Sequence, residues 1–162
     1  VETLKSRILE AFFTELEREL TTITEAAFAS RDAAISEEAK AENKYDTRGL
    51  EASYLAGAQA KRASELRETL NKLKKNKVRL YSEGEAIQGL ALVAVEDEDA
   101  EKKNFFIVPA EGGAKVLVDG ETYFLVTPES PIGNSLWNLK QGDEFEFTLK
   151  GKKQFYEILS IL

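Results

Sequence analysis

The sequence predicts an α+β protein. An N-terminal antiparallel two-helix coiled-coil hairpin over residues 1–78 is followed by a small antiparallel β domain with one short helix over residues 79–162. Three observations carry that prediction. Apolar residues recur at steps of three and four up to Val78 and at alternate positions after it, the periods of a helix face and of a half-buried strand. All three prolines, Pro109, Pro128 and Pro131, lie beyond Val78, and the only glycines before it are Gly49 and Gly57. Charge divides at the same place. Residues 1–78 carry 14 basic and 14 acidic side chains, so the 8 basic and 15 acidic ones after them supply the whole net charge of −7.

Leu4, Ile8, Phe12, Leu16, Leu20, Ile23 and Ala27 form one stripe, which predicts a helix from about Glu2 to Ala41. A second stripe runs through Leu55, Ala58, Arg62, Leu66, Leu70 and Leu73. Between them Asn43–Gly49 is the best turn segment, with Asp46 or Thr47 placed to cap the second helix. Each stripe alone is too narrow for a globular core, so the two helices should fold back on one another. Alanines crowd both sides of the turn, from Ala26 to Ala41 and from Ala52 to Ala63. Small side chains there let the helices approach closely. Lys61, Arg62, Arg67, Lys72, Lys74, Lys75, Lys77 and Arg79 have only Glu65 and Glu68 among them in sequence. The hairpin is therefore expected to be basic toward its base and mildly acidic at its tip.

Strands are predicted near Ala86–Val95, Phe105–Val108, Lys115–Val118, Tyr123–Thr127, Glu144–Leu149 and Gln154–Ile161. Asp119-Gly120 is a strong tight-hairpin signal, and Lys150-Gly151 a second, looser one. Ser130-Pro131 reads as an N-cap followed by proline at the first helical position, opening a short helix through Leu136 and Trp137. Gly142 should end the connection into the next strand.

Composition narrows the chemistry. With no Cys and no His, there is no disulfide framework, no thiolate or imidazole metal site and no His-dependent nucleophilic catalysis. Any chemistry must use carboxylates, Lys, Tyr or hydroxyls. No apolar run reaches the roughly 18 residues of a membrane span and no signal-peptide pattern opens the sequence, so a cytoplasmic protein with no membrane partner is expected.

Three segments carry a resemblance: Thr127-Pro128-Glu129-Ser130-Pro131-Ile132-Gly133, Leu139-Lys140-Gln141-Gly142-Asp143-Glu144-Phe145-Glu146-Phe147, and Phe155-Tyr156-Glu157-Ile158-Leu159. In order and spacing they resemble the Gre family of bacterial transcript-cleavage factors, and the turn segment Glu42–Tyr54 looks like a variant of that family's tip. The resemblance implies an FKBP-like C-terminal domain that docks on RNA polymerase and a monomeric protein. It also implies a hairpin that enters the polymerase secondary channel, near the RNA 3′ end and, through polymerase, DNA. Tip carboxylates in the family help hold a catalytic Mg²⁺ shared with polymerase, which then hydrolyses its own backtracked RNA. Hard oxygen ligands suit that ion.

On this sequence the resemblance assigns Asp46 and Glu51 as the catalytic, Mg²⁺-holding carboxylates. The family pairs an Asp and a Glu three apart, whereas Asp46 and Glu51 are five apart; aligning on Tyr54 puts Leu50 at the Glu position. Asp46 could equally be a plain N-cap, and Glu51 a carboxylate favoured by a helix N-terminus. Glu42, Arg48 and Tyr54 are further binding candidates at the turn. Glu42 could join Asp46 at i, i+4 or be a solvated helix residue. Arg48 could touch phosphate or form a surface ion pair, and Tyr54 could stack on a base or simply pack. Arg62 and Lys74, in the basic run, are candidates for tracking RNA, against the ordinary reading of a solvated helix face. Ser130, Pro131 and Ile132 are the candidate polymerase-docking residues. The rival readings are a non-catalytic regulator or inhibitor in the same channel, and a coiled-coil interaction adaptor unrelated to polymerase. Prolyl isomerase activity would need an aromatic-lined pocket, and alternation assigns most of Phe105, Phe106, Tyr123, Phe124 and Trp137 to a small core.

Overall fold

The computed structural model describes residues 3–40 and 48–162 and, of these, the side chains of all but residues 38–40 and 48. In chain order the elements are α1 (Leu4–Lys40), α2 (Arg48–Lys74), β1 (Leu92–Asp97), β2 (Lys102–Ile107), β3 (Lys115–Val118), β4 (Glu121–Val126), α3 (Pro131–Leu136), β5 (Glu144–Leu149) and β6 (Lys152–Ile161). The chain forms two compact units: Phe13–Lys75, and Val1–Phe12 together with Asn76–Leu162.

In the helical unit Leu16, Leu20, Ile23, Ala27, Ser30, Ala34 and Glu37 of α1 are buried or half-buried. So are Ala52, Ala56, Gln59, Ala63, Leu66, Leu70 and Leu73 of α2. Both rows alternate steps of four and three, the heptad spacing of a coiled-coil seam. The helices run antiparallel, since Ser30 Oγ donates to Gln59 Oε1 at 3.0 Å while Glu17 pairs with Lys74. The predicted stripe of α2 needs correction toward the turn. Leu55 and Ala58 are exposed and Arg62 lies on the flank. Carrying the heptad back from Leu66 lands on alanines and a glutamine, whose apolar signal is weaker than that of the exposed Leu55. Ser30 with Gln59 places one polar contact in an otherwise mostly apolar seam, the kind of layer that discriminates between registers.

The C-terminal unit is a six-stranded sheet of order β3-β4-β2-β1-β6-β5. Neighbouring strands are antiparallel except β2 and β4, which run parallel in the register Phe105↔Phe124. The sheet is thus antiparallel as expected apart from this one pair. The β3–β4 hairpin is carried to the sheet edge, and its second strand returns beside β2 in the same direction. Both hairpin turns are two-residue turns with two positive φ angles, 53° and 81° at Asp119-Gly120 and 51° and 77° at Lys150-Gly151. The second is thus as tight as the first. The strands at Lys115–Val118 and Glu144–Leu149 fall where predicted, whereas β1 begins only at Leu92. Upstream of it the Ile87 N–H donates to the Leu139 carbonyl and Asn138 N–H to the Ile87 carbonyl, which ties this segment to the chain after α3.

Alternation gives the sheet two apolar faces. Val93, Val95, Ile107, Val126, Tyr156 and Ile158 share a core with Leu136 of α3 and the upstream Ile87. Leu92, Phe106 and Leu125, buried as well, alternate to the opposite face. That second face is the one the start of α1 reaches. Lys5 Nζ lies 5.8 Å from the centroid of the Phe106 ring, and Arg7 pairs at 2.6 Å with Asp119 in the β3–β4 turn. Lys5 and Arg7, predicted as part of the hairpin, therefore bond to the sheet unit.

Lys5 is 4% exposed. Its ammonium donates to the backbone carbonyl of Arg79 and, at 2.8 Å, to that of Leu162, and it sits 5.1 Å from the centroid of the Tyr81 ring. Burial first, and the positive charge of Arg79 second, lower its pKa from 10.5 to about 8. A neutral amine still has two N–H donors for the two carbonyls. Between pH 8 and 10.5 the unfolded chain therefore holds more protons at this site than the folded chain, and stability rises with pH. Measured against a Lys5→Met variant by urea denaturation, the wild-type chain should gain stability between about pH 7.5 and 9.5. A stability difference that stays flat across that range would show that Lys5 titrates as an ordinary lysine.

Candidate functional site

The sequence-predicted site residues fall into three places. Asp46 and Glu42 lie outside the described residues, as does the side chain of Arg48. Glu51 is exposed in the first turn of α2, where the helix dipole favours a carboxylate. Tyr54, one turn on, is 71% exposed, and Leu50 is 53% exposed. Among the described residues no three carboxylates gather into a group that could hold a metal ion.

Arg62 and Lys74 lie on α2, but each meets a carboxylate of α1. Arg62 bonds Glu19 at 3.1 Å and Lys74 pairs with Glu17. Lys72 bonds Glu68 at 2.9 Å within α2. The expectation of a basic run opposed only by Glu65 and Glu68 is corrected here, because antiparallel packing brings the acidic stretch of α1 alongside it. Exposed pairs of this kind contribute little stability, but they neutralise charge that a sequence count leaves unopposed.

Ser130, Pro131 and Ile132 open α3. The Ser130 hydroxyl donates to the Thr127 carbonyl at 2.7 Å and accepts from the Gly133 N–H at 3.1 Å, so it caps the helix with both of its bonds internal. Gly133 presses on the same turn, and a Cβ built there would stand 1.9 Å from the Thr127 carbonyl oxygen. The turn is held rigidly, and it presents Pro131 and Ile132 to an apolar cavity of about 260 Å³.

Phe105 of β2, Phe124 of β4, and Phe145, Phe147 and Tyr156 of β5 and β6 line that cavity. The Phe105 and Phe124 rings are 5.8 Å apart and tilted, and Phe145 stacks on Tyr156 at 5.4 Å. Lys103 Nζ, the one charged group in the lining, lies 5.8 Å from the Tyr156 ring centroid. The expectation of a small core without an aromatic pocket is thus corrected. Phe106 and Tyr123 are buried as expected, but Phe105 and Phe124 are only half-buried and open onto the cavity. Phe145, Phe147, Leu149 and Tyr156 were missed as site residues. The signal was present, because Phe145, Phe147 and Leu149 alternate on one side of an edge strand, where natural sheets normally place charge.

Comparison with known proteins bears on residues 83–162, which match the family described as "Transcription elongation factor, GreA/GreB, C-term". No curated protein matches the chain. Among solved structures the chain is similar to the transcription factor Gfh1, at 22% identity over 93% of each chain with a TM-score of 0.41. It is similar to GreA factor homolog 1 of Thermus thermophilus at 19% identity, over 93% of this chain and 94% of that one, with a TM-score of 0.38. A GreA/GreB elongation factor from Nitrosomonas europaea is 22% identical over 63% of this chain and 92% of its own, with a TM-score of 0.37.

The Thr127–Gly133 turn should be the most sensitive part of the cavity wall. Gly133→Ala is expected to destabilise the C-terminal unit by about 2–3 kcal/mol, since backbone must move to admit the methyl group. Ser130→Ala should remove about 1 kcal/mol by loss of the cap. Trp137, the chain's single tryptophan, follows α3 and reports both in fluorescence-detected urea unfolding. Equal effects of the two substitutions would show that the close approach at Gly133 is relaxed in solution.

Proposed function

The chain belongs, through residues 83–162, to the GreA/GreB family of transcription elongation factors, and from that premise we propose that it binds RNA polymerase and acts at the polymerase active centre. The observation that supports docking is the aromatic cavity beside Pro131 and Ile132. It is a concave apolar site on a rigid wall, suited to take an apolar side chain from the polymerase rim. Ser130 acts one step back, by holding the turn that carries Pro131.

In this reading the segment between α1 and α2 enters the secondary channel, and Asp46 and Glu51 face the reacting phosphodiester. A Mg²⁺ held there jointly with polymerase would polarise the phosphodiester and its attacking water. Glu51 suits the part, as a solvent-exposed carboxylate whose hard oxygens are the donors Mg²⁺ prefers. Two carboxylates would fill only part of that ion's octahedral coordination, leaving the rest to water, RNA phosphate and polymerase. Tyr54 is exposed enough to stack on a base, and Glu42 and Arg48 are proposed as neighbouring contacts. Arg62 and Lys74 would reach RNA only by exchanging Glu19 and Glu17 for phosphate.

One observation favours a second reading, that of a non-catalytic regulator in the same channel. Leu50, the residue that aligns with the family's glutamate when Tyr54 is matched, is 53% exposed in the first turn of α2, and an apolar side chain there supplies no ligand.

Transcript cleavage by backtracked polymerase separates the two. Under the first reading the wild-type chain stimulates cleavage, and Glu51→Ala and Asp46→Ala each reduce it about 10- to 100-fold without weakening polymerase binding. Pro131→Asp should instead weaken binding at least about tenfold, as expected for a charge placed at an apolar anchor. Binding without stimulated cleavage selects the regulator. Failure to bind core polymerase at low salt rejects both.

A further inference from the structure

We propose that a groove between α1 and α2 binds a nucleoside phosphate, with the base stacked on Phe28 and the phosphate held between Arg31 and Arg67. The groove has a volume of about 400 Å³, within the range of ligand sites, and Thr24, Phe28 and Arg31 line it from α1. Gly57, Ala60 and Arg67 line it from α2.

The groove exists because α2 lacks bulk where α1 carries an aromatic ring. A Cβ on Gly57 would meet nothing within 4 Å, and Phe28 is left 59% exposed. A glycine inside a helix costs about 1 kcal/mol relative to alanine, and here it leaves an opening beside a ring. Within the helical unit the two arginines differ from the other described cations of α1 and α2. Arg18, Lys61, Arg62, Lys72 and Lys74 all pair with carboxylates, whereas neither Arg31 nor Arg67 has an ion-pair partner among the described residues.

These properties select the ligand. An apolar side chain would cover two guanidinium groups without a counter-charge, which is unfavourable. A bare phosphate would satisfy the guanidiniums and leave Phe28 unused. A planar ring joined to a phosphate uses all three groups, by stacking on the phenyl ring and by the fork geometry in which guanidinium meets phosphate. Neither the tip carboxylates nor the cavity at Pro131 takes part, so the site stands or falls independently of the cleavage reading. The nucleotide could be free or the terminal residue of an RNA chain.

The test uses the full chain. ATP and GTP are titrated calorimetrically, and a fluorescein-labelled single-stranded oligoribonucleotide is followed by anisotropy. At least one probe should bind. Arg31→Ala, Arg67→Ala and Phe28→Ala should each weaken it about five- to tenfold. Gly57→Leu fills the groove with a better helix former and should abolish binding while helical circular dichroism is kept. Tighter binding of the free nucleotide identifies a nucleotide site, and tighter binding of the oligomer a site for a chain end. The proposal is overturned if neither probe binds, if binding survives Gly57→Leu, if inorganic phosphate binds as tightly as nucleotide, or if a phosphotyrosine peptide binds in preference to both.

Discussion

A single buried ammonium group closes the sheet unit. Lys5 Nζ bonds the carbonyl of Arg79, near the point where the chain enters that unit from α2, and the carbonyl of Leu162 in the strand segment beside β1. The Leu162 carbonyl also accepts the N–H of Leu92, so the lysine and the sheet ladder share one oxygen. Residues 5, 79 and 162 meet at one nitrogen atom. Burying an ammonium group is unfavourable unless its donors are used, and here two are used and two aromatic rings, Tyr81 and Phe106, flank the charge. Removing the lysine would leave two carbonyls competing for fewer donors, a loss of about 1–3 kcal/mol for each buried group left unsatisfied.

This attachment decides how the sheet's two faces are used. The start of α1 engages the face of Phe106, and the other is left to α3 and the core around Val93, Val95 and Ile158. α3 has only six residues and covers only part of that face. The uncovered part is where Phe105, Phe124, Phe145 and Phe147 remain half-buried around the cavity. A longer helix would have filled it. The cavity is therefore what a large aromatic surface leaves under a short helix, and the rigid turn from Thr127 to Gly133 fixes its wall.

Much of this was legible in the residues. The change of period at Val78 separates helix from strand, the Asp119-Gly120 and Lys150-Gly151 pairs mark both tight turns, and Ser130-Pro131 marks the cap of α3. What was not legible depends on which residues become neighbours. Lys5 sits among apolar residues at helical spacing, but a lysine carries no apolar signal, and its carbonyl partners lie 74 and 157 residues away. The parallel pairing of β2 with β4 depends on where a hairpin inserts, which alternation does not encode. The seam of α2 was misplaced near the turn because alanine and glutamine mark a heptad faintly. The aromatic cavity was obscured for a related reason, since alternation says which side a ring faces but not whether anything covers it.

Electrostatics in the helical unit follow the same rule, because pairing across the seam replaces pairing along the chain. Glu17 and Glu19 of α1 answer Lys74 and Arg62 of α2, so the cations that look unopposed in a linear count are largely neutralised. The positive charge that stays without a partner among the described residues includes Arg31 and Arg67, and both line the groove. That is also where alanine and glycine thin the packing and leave Phe28 uncovered. Close helix packing by small residues accounts for the Ala56–Ala60 stretch, but it does not require a large ring and two arginines to line one groove. Their coincidence with the gap at Gly57 gives that stretch of the hairpin a chemistry beyond holding two helices together.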